Sequence, residues 1–130
     1  MVAQAHAKDC RANEKQRNDL VVIIDCNEHI PCNPCETACP RGAINVGERI
    51  TNLPKVNSER CIGCYRCIAT CPGQAIHIVS YGWSDNAALV SLPYELLPRP
   101  DLGDTVEVYD ALGEHIGQGQ VQDIRQPETF

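Results

Sequence analysis

Short apolar runs recur along this chain, and proline, glycine or polar residues separate one run from the next. Up to residue 80 the runs are rich in β-branched residues, which predicts strands at Leu20–Asp25, Ile44–Val46 and Ile76–Val79. Short helical turns are predicted at Glu36–Cys39 and Ile68–Cys71, because the proline after each of them cannot continue a helical hydrogen-bond ladder. The predicted order is therefore strand, helical turn and strand, twice.

The pattern changes after residue 80. Prolines and polar residues predict an extended connector. It leads to a strand at Thr105–Tyr109, turn residues at Asp110–Gly113 and a second strand at Ile116–Ile124 that glycines weaken. A β-hairpin or part of a small β-barrel fits this pattern. Two or three strands are marginally stable alone, so we expect the extension to pack on the rest of the chain or on another subunit.

Two segments of the chain share one spacing of residues. Asp25–Val46 reads DCNEHIPCNPCETACPRGAINV and Arg60–Val79 reads RCIGCYRCIATCPGQAIHIV. Six residues of the first segment recur in the second at one constant offset: Cys32, Cys35, Cys39, Pro40, Ala43 and Ile44 correspond to Cys64, Cys67, Cys71, Pro72, Ala75 and Ile76. Cys26 and Cys61 are further apart than this offset, so the first segment carries a three-residue insertion. The repeat indicates one doubled unit.

Nine cysteines in 130 residues exceed ordinary usage and have three common explanations: disulfides, zinc sites and iron-sulfur ligation. Near the N-terminus the apolar run Leu20–Ile24 is too short for a signal-peptide core. No stretch reaches the roughly 18 apolar residues of a membrane span, so a reducing, cytoplasmic setting is expected. Zinc sites usually separate two cysteine pairs by a long stretch, whereas Cys61, Cys64 and Cys67 crowd within seven residues. The spacing favours iron, with zinc as the main alternative.

The second run, Cys-x2-Cys-x2-Cys-x3-Cys-Pro, resembles that of bacterial-type ferredoxins with two 4Fe-4S clusters. The resemblance covers residues 21–80 and implies an α+β, ferredoxin-like fold built from a doubled β-α-β unit. In that family the fourth cysteine of each run binds the other cluster. The resemblance thus implies a first cluster on Cys26, Cys32, Cys35 and Cys71, and a second cluster on Cys61, Cys64, Cys67 and Cys39. A 3Fe-4S or variant first cluster stays open, with His29 or Asp25 replacing Cys26.

Three parts of the chain are predicted: a polar N-terminal arm (1–20), a dicluster ferredoxin domain (21–80) and a β-rich C-terminal extension (81–130). A unit as short as the ferredoxin domain buries little apolar surface, so bound clusters are expected to supply much of its folding free energy. The three parts carry formal charges of +1, 0 and -7, which sum to -6. Because phosphate binding relies on clustered Lys and Arg, this balance disfavours nucleic acid and favours a protein partner with a basic face.

Little else in the sequence indicates chemistry. The four histidines share neither a spacing nor a carboxylate partner, so surface or packing roles are predicted: they are His6, His29, His77 and His115. No phosphate-binding glycine loop, dinucleotide fingerprint or nucleophilic serine motif occurs, and no catalytic residue is assigned. Cys10 lies outside both runs and is predicted to be a free thiol. Tyr65, inside the second run, is expected to pack there, with shielding of the cluster from water as the alternative role.

A pair of 4Fe-4S clusters takes up and releases single electrons, so the resemblance implies electron transfer. The leading hypothesis is an electron-transfer subunit that relays electrons between a larger redox enzyme and an external carrier. The partner is expected to be a flavoprotein, since the design is similar to the ferredoxin-like small subunits of multi-subunit flavin-dependent dehydrogenases. Two alternatives stay open: a free, diffusible ferredoxin, and a structural or oxygen-sensing iron-sulfur protein.

Overall fold

The structure is a computed structural model that describes residues 2–5 and 20–126. It has an α+β architecture with eight strands, two short α-helices and one 3-10 turn among these residues. The strands are β1 (Val2–Ala5), β2 (Leu20–Ile24), β3 (Ile44–Asn45), β4 (Lys55–Val56), β5 (Ile76–Ser80), β6 (Ala88–Ser91), β7 (Thr105–Tyr109) and β8 (His115–Asp123). The helices are α1 (Pro34–Ala38) and α2 (Arg66–Thr70), and the 3-10 turn is Ser58–Arg60.

Each helix begins two residues before the start of the predicted helical turn and ends one residue before the end of that turn. Pro34 can open α1 because a proline lacks an N–H that the first helical turn would leave unpaired. Cys39 and Cys71, which were predicted to be helical, are extended, with ψ angles of 111° and 114°. Each precedes a proline, whose ring disfavours helical backbone in the residue before it. These two cysteines therefore stand where the chain turns away from its helix.

Six strands form one antiparallel sheet in the order β2-β5-β6-β1-β8-β7, and β3 pairs with β4 in a second, two-stranded sheet. In the large sheet β2 lies beside β5, with Val22 opposite Ile78. The first and last strands of the segment that carries the cysteine repeat are thus hydrogen-bonded to each other. This pairing closes the repeat into one unit.

The extension after residue 80 continues the same sheet. Val79 and Ser80 of β5 lie opposite Val90 and Leu89 of β6, and β8 pairs with β7 at the far edge. The loop between β7 and β8 is tied by Asp110, whose carboxylate accepts hydrogen bonds from two backbone N–H groups at 2.9 Å each. The cysteine-rich part and the extension are therefore joined through backbone hydrogen bonds.

Part of the N-terminal segment, which was predicted to be a polar arm, is a strand of the large sheet. Val2–Ala5 form a strand between β6 and β8 and pair with both. No local signal in the sequence predicts this strand, because four residues are too few to show a period and both partners are remote in sequence. The division of the chain at residues 20 and 80 stays a prediction.

The hydrophobic core lies between the large sheet and the two helices. Ile76 and Ile78 of β5 are 1% and 2% exposed, and Val22 of β2 and Ile68 of α2 pack with them. Full burial of an aliphatic side chain stabilises a fold by about 1.5–3 kcal/mol. Two cysteines belong to the same cluster of buried residues, Cys35 and Cys67. Within residues 2–5 and 20–126, no helix has the length and apolar character needed to cross a membrane.

Candidate iron-sulfur sites

Eight cysteines of the described residues carry free thiols, and they line two separate cavities. The first, which we name the Cys61 cavity, is lined by Cys39, Cys61, Cys64 and Cys67. The second, the Cys26 cavity, is lined by Cys26, Cys32, Cys35 and Cys71. The structure therefore brings together the same two groups of four that the sequence assigns to two clusters. In each group, three cysteines come from one half of the repeat and the fourth from the other half.

The Cys61 cavity is built by a tight loop. The 3-10 turn places Cys61, whose N–H donates to the carbonyl of Ser58 at 3.1 Å. Gly63 and Tyr65 then adopt left-handed backbone, with φ angles of 73° and 63°. A Cβ atom built on Gly63 would lie 2.8 Å from Leu20 Cδ1, so a larger residue there would displace the Leu20 side chain. The alternation of cysteines with left-handed residues folds the loop back around the cavity.

The Cys26 cavity is closed by the three-residue insertion. The N–H of Cys32 donates to the carbonyl of Ile50 at 3.3 Å, and the imidazole Nδ1 of His29 lies 3.2 Å from the carbonyl oxygen of Thr51. A carbonyl oxygen only accepts hydrogen bonds, so this contact makes Nδ1 the protonated nitrogen. The insertion is therefore attached at two points to the loop that precedes β4.

Asp25 and His29, the two alternative ligands to Cys26, make their contacts outside the Cys26 cavity. Neither Asp25 nor His29 lines the Cys26 cavity, whereas Cys26 does. The N–H of Asp25 donates to the carbonyl of Ala75 at 2.8 Å, and its carboxylate lies 3.8 Å from Nδ1 of His77. The assignment of the eight ligands nevertheless stays a prediction, since thiols that line a cavity are not yet ligands.

Burial raises the pKa of three of these thiols. The pKa of Cys67 rises to about 11, chiefly because its buried position disfavours the charged thiolate, and the other three thiols of the Cys61 cavity raise it further. The pKa values of Cys61 and Cys35 shift in the same direction for the same main reason. A metal binds the thiolate, so metal binding at these sites must release protons.

Two backbone N–H groups point at cysteine sulfur atoms in equivalent places of the repeat. The N–H of Ala43 donates to Cys39 Sγ at 3.3 Å, and the N–H of Ala75 donates to Cys71 Sγ at 3.5 Å. Such donors stabilise a thiolate and tune the potential of a metal bound to it. Sequence reasoning missed these donors as site residues, although the recurrence of Ala43 as Ala75 in the repeat was a visible signal.

The four thiols of each cavity are spread around it. Among the residues that the structure describes, no three His, Cys, Asp or Glu side chains converge closely enough to hold a single metal ion. A 4Fe-4S cluster takes one thiolate at each of four iron atoms, so four thiols distributed around one cavity fit its donor set. Thiolate sulfur is also the ligand type that iron-sulfur clusters prefer.

The other residues singled out in the sequence take different positions. Tyr65 lines the Cys61 cavity, and the guanidinium carbon of Arg125 stands over its ring, 4.9 Å from the centroid. No sequence signal pointed to Arg125, which is remote from Tyr65 along the chain and lies in the extension. The prediction that the histidines lack a carboxylate partner is wrong for His115, which pairs with Glu107 on the surface. Hydrogen bonds from Gln118 and from His115 lower the pKa of the Glu107 carboxyl. Cys10 and His6 lie outside the described residues.

Residues 24–82 match the protein family described as the LdpA Fe-S cluster-binding domain. Three curated relatives are similar over part of the chain. One component of an ion-translocating oxidoreductase complex from Methanosarcina acetivorans is 37% identical over 70 residues, which are 53% of this chain and 24% of that protein. The polyferredoxin-like component of an aliphatic sulfonate oxidoreductase from Pyrococcus furiosus is 44% identical over 48 residues, 37% of this chain and 27% of that protein.

The third relative is the thiosulfate reductase electron transfer subunit PhsB of Salmonella typhi, 38% identical over 66 residues, 48% of this chain and 33% of that protein. The chain thus spans a third or less of the length of these relatives. No solved structure matches it significantly. All eight cysteines of the two cavities fall inside the family match. Residues 24–82 are therefore similar to an iron-sulfur cluster-binding domain, and part of the chain is similar to proteins named as polyferredoxin-like or electron transfer subunits.

Proposed function

We propose that this chain relays single electrons through two 4Fe-4S clusters between a partner redox enzyme and an external carrier. One cluster is held by Cys26, Cys32, Cys35 and Cys71, and the other by Cys61, Cys64, Cys67 and Cys39. The observation that carries this proposal is the presence of two cavities, each lined by four thiols in this crossed arrangement. Residues 21–80 would then be a doubled β-α-β unit, and residues 81–130 an extension whose β7 and β8 form a hairpin.

The crossed arrangement supports a relay because it places the two sites side by side. Cys39 follows α1 but lines the Cys61 cavity, while Cys71 follows α2 but lines the Cys26 cavity. The same two helices carry Cys35 and Cys67 into one core cluster. An electron that enters at one site would therefore have the other site as a close neighbour inside the same core.

The protein residues shape what the clusters do. A bound 4Fe-4S cluster supplies reversible one-electron chemistry with little change of geometry. Isoleucine side chains line both cavities and exclude water, which lowers the local dielectric constant and makes nearby charges more effective. The N–H groups of Ala43 and Ala75 donate to two of the ligand sulfur atoms and stabilise their negative charge.

The relatives support a subunit role. The three described above are named as subunits of oxidoreductases or of an ion-translocating complex. We propose a larger redox subunit as the partner of this chain, with a flavoprotein as the specific expectation, and a cytoplasmic setting that keeps the thiols reduced. The extension supports a role in contacting this partner, because it adds strands to the large sheet without adding any cysteine.

The proposal is tested by purifying the chain under anaerobic conditions and measuring iron, acid-labile sulfide and the electron paramagnetic resonance of the reduced protein. We expect about eight iron and about eight sulfide per chain, and two interacting signals. Cys67→Ala should remove one cluster and retain the other, whereas the matched variant Cys10→Ala should retain both. Zinc in place of iron, or full iron content in Cys67→Ala, would overturn the assignment.

A further inference from the structure

The C-terminal extension contacts the loop of the Cys61 cavity through the charged side chain of Arg125. After β8 ends, the Arg125 guanidinium carbon stands 4.9 Å from the centroid of the Tyr65 ring. Tyr65 lies between Cys64 and Cys67 in sequence and lines their cavity. The Arg125 cation therefore contacts a residue that lines the Cys61 cavity.

Tyr65 is held in a conformation that a bulky residue rarely adopts. Its φ and ψ angles are 63° and 9°, in the left-handed region, and it makes no side-chain cap bond to α2. Such backbone is costly for a residue with a large side chain and persists where the surroundings determine it. In this conformation Tyr65 lines the cavity, and Arg125 stacks on its ring.

Arg125 is fixed by a second contact. Its Nε donates to the carboxylate of Asp123 at 3.0 Å, and the two side chains are 42% and 49% exposed. The carboxylate orients the guanidinium and offsets part of its charge. Loss of the guanidinium would remove the cation that faces Asp123, so the local charge would become negative rather than neutral.

The residues that line the two cavities also differ in charge, and the Cys61 cavity is the more positive of the two. Among the described residues, the Cys61 cavity is lined by Arg41 and by no carboxylate, whereas the Cys26 cavity is lined by Glu28 and by no Lys or Arg. Reduction adds one negative charge to a cluster, so positive groups nearby stabilise the reduced state and negative groups oppose it.

We propose that Arg125, stacked on Tyr65, raises the reduction potential of the cluster at Cys39, Cys61, Cys64 and Cys67, and makes this the higher-potential cluster of the two. The inference rests on the proposed function, because it needs both clusters. The proposal assigns the extension a direct role in tuning, through the contact of Arg125 with a residue that lines the Cys61 cavity. Arg125 is a tuning residue and not a ligand.

The test is a redox titration of the whole chain, followed by electron paramagnetic resonance, with the signal lost in Cys67→Ala identifying the Cys61 cluster. Arg125→Gln should shift the potential of that cluster to more negative values, and by more than it shifts the other cluster, whose ligand Cys71 lines a groove with Arg125. Arg125→Lys keeps the charge and should stay near the unmodified protein. Arg49→Gln is the control: it neutralises an exposed arginine whose neighbour Ile50 accepts a hydrogen bond from Cys32 in the other cavity. It should not shift the reduction potential of the Cys61 cluster.

Two further variants separate tuning from a loss of structure. Asp123→Asn removes the offsetting carboxylate and should shift the Cys61 cluster to more positive values, opposite in sign to Arg125→Gln. In a Tyr65→Leu background Arg125 loses the ring, so Arg125→Gln should have a smaller effect. Equal shifts of both clusters, no shift in Arg125→Gln, or a negative shift in Asp123→Asn would overturn the inference. Absence of iron from the unmodified chain would instead overturn the proposed function.

Discussion

Replacing Gly63 by alanine tests whether the loop of the Cys61 cavity needs its glycine for backbone conformation, for space, or for both. The residue has a φ of 73°, and a left-handed backbone costs an ordinary residue about 1–2 kcal/mol. The added Cβ would also lie 2.8 Å from Leu20 Cδ1. Because that methyl ends a flexible side chain, a shift of Leu20 can relieve part of the clash.

Two other glycines separate these contributions. Gly103 has a φ of 85° and no atom within 4 Å of an added Cβ, so Gly103→Ala measures conformational strain alone. Gly73 has no positive φ and equally open surroundings, so Gly73→Ala should be close to neutral. We expect Gly63→Ala to be the least stable of the three, and Leu20→Ala to recover part of its loss when the two are combined.

The assay is the apparent melting temperature of the iron-loaded protein under anaerobic conditions, measured at one scan rate because cluster loss is irreversible. Strain of about 1–2 kcal/mol corresponds to roughly 3–10 °C for a chain of this size. Gly63→Ala should also lose iron faster than Gly103→Ala, since only the former lies in a ligand loop. A Gly63→Ala protein as stable as Gly73→Ala would refute the reasoning.

Two further predictions concern the cluster domain. Glu36→Gln weakens the hydrogen bond that the Glu36 carboxylate accepts from the N–H of Val46 at 2.6 Å. Because a hydrogen bond to a charged group contributes about 1.5–3 kcal/mol, we expect the apparent melting temperature to fall by several degrees. The exposed control Glu48→Gln should change it little. Removal of iron by an anaerobic chelator should unfold the part of the chain that carries the cysteines, because metal binding supplies folding free energy in small domains. The far-ultraviolet circular dichroism of the chain should therefore decrease. A metal-free chain that keeps its spectrum and melts cooperatively would contradict this.

The cysteine spacing predicted more of the site than any other feature. The resemblance of these runs to those of bacterial ferredoxins implied two sets of four cysteines, and the structure places each set around one cavity. The apolar runs before residue 80 correspond to β2, β3 and β5. Both kinds of signal are local, since a ligand loop and a buried strand each carry their pattern within a few neighbouring residues.

What the sequence did not reveal depends on contacts between remote residues. The early end of both helices follows from the effect of a proline on the residue before it, which was not applied to Cys39 and Cys71. The early start of α1 follows from Pro34. Strand β1 and the contact of Arg125 with Tyr65 had no local signal at all. The sequence likewise did not indicate that the extension shares a sheet with β2 and β5.

The position of β1 has a consequence for the order in which the molecule is assembled. Ala3 lies opposite Val90 of β6 and Val121 of β8, so residues near the beginning of the chain pair with residues near position 120. Contacts over so long a sequence separation form slowly. On the ribosome, residues 2–5 cannot pair with the whole of β8 until Asp123 has emerged, while the cysteine repeat is complete by residue 71. Both cysteine loops can therefore form before β1 closes the large sheet.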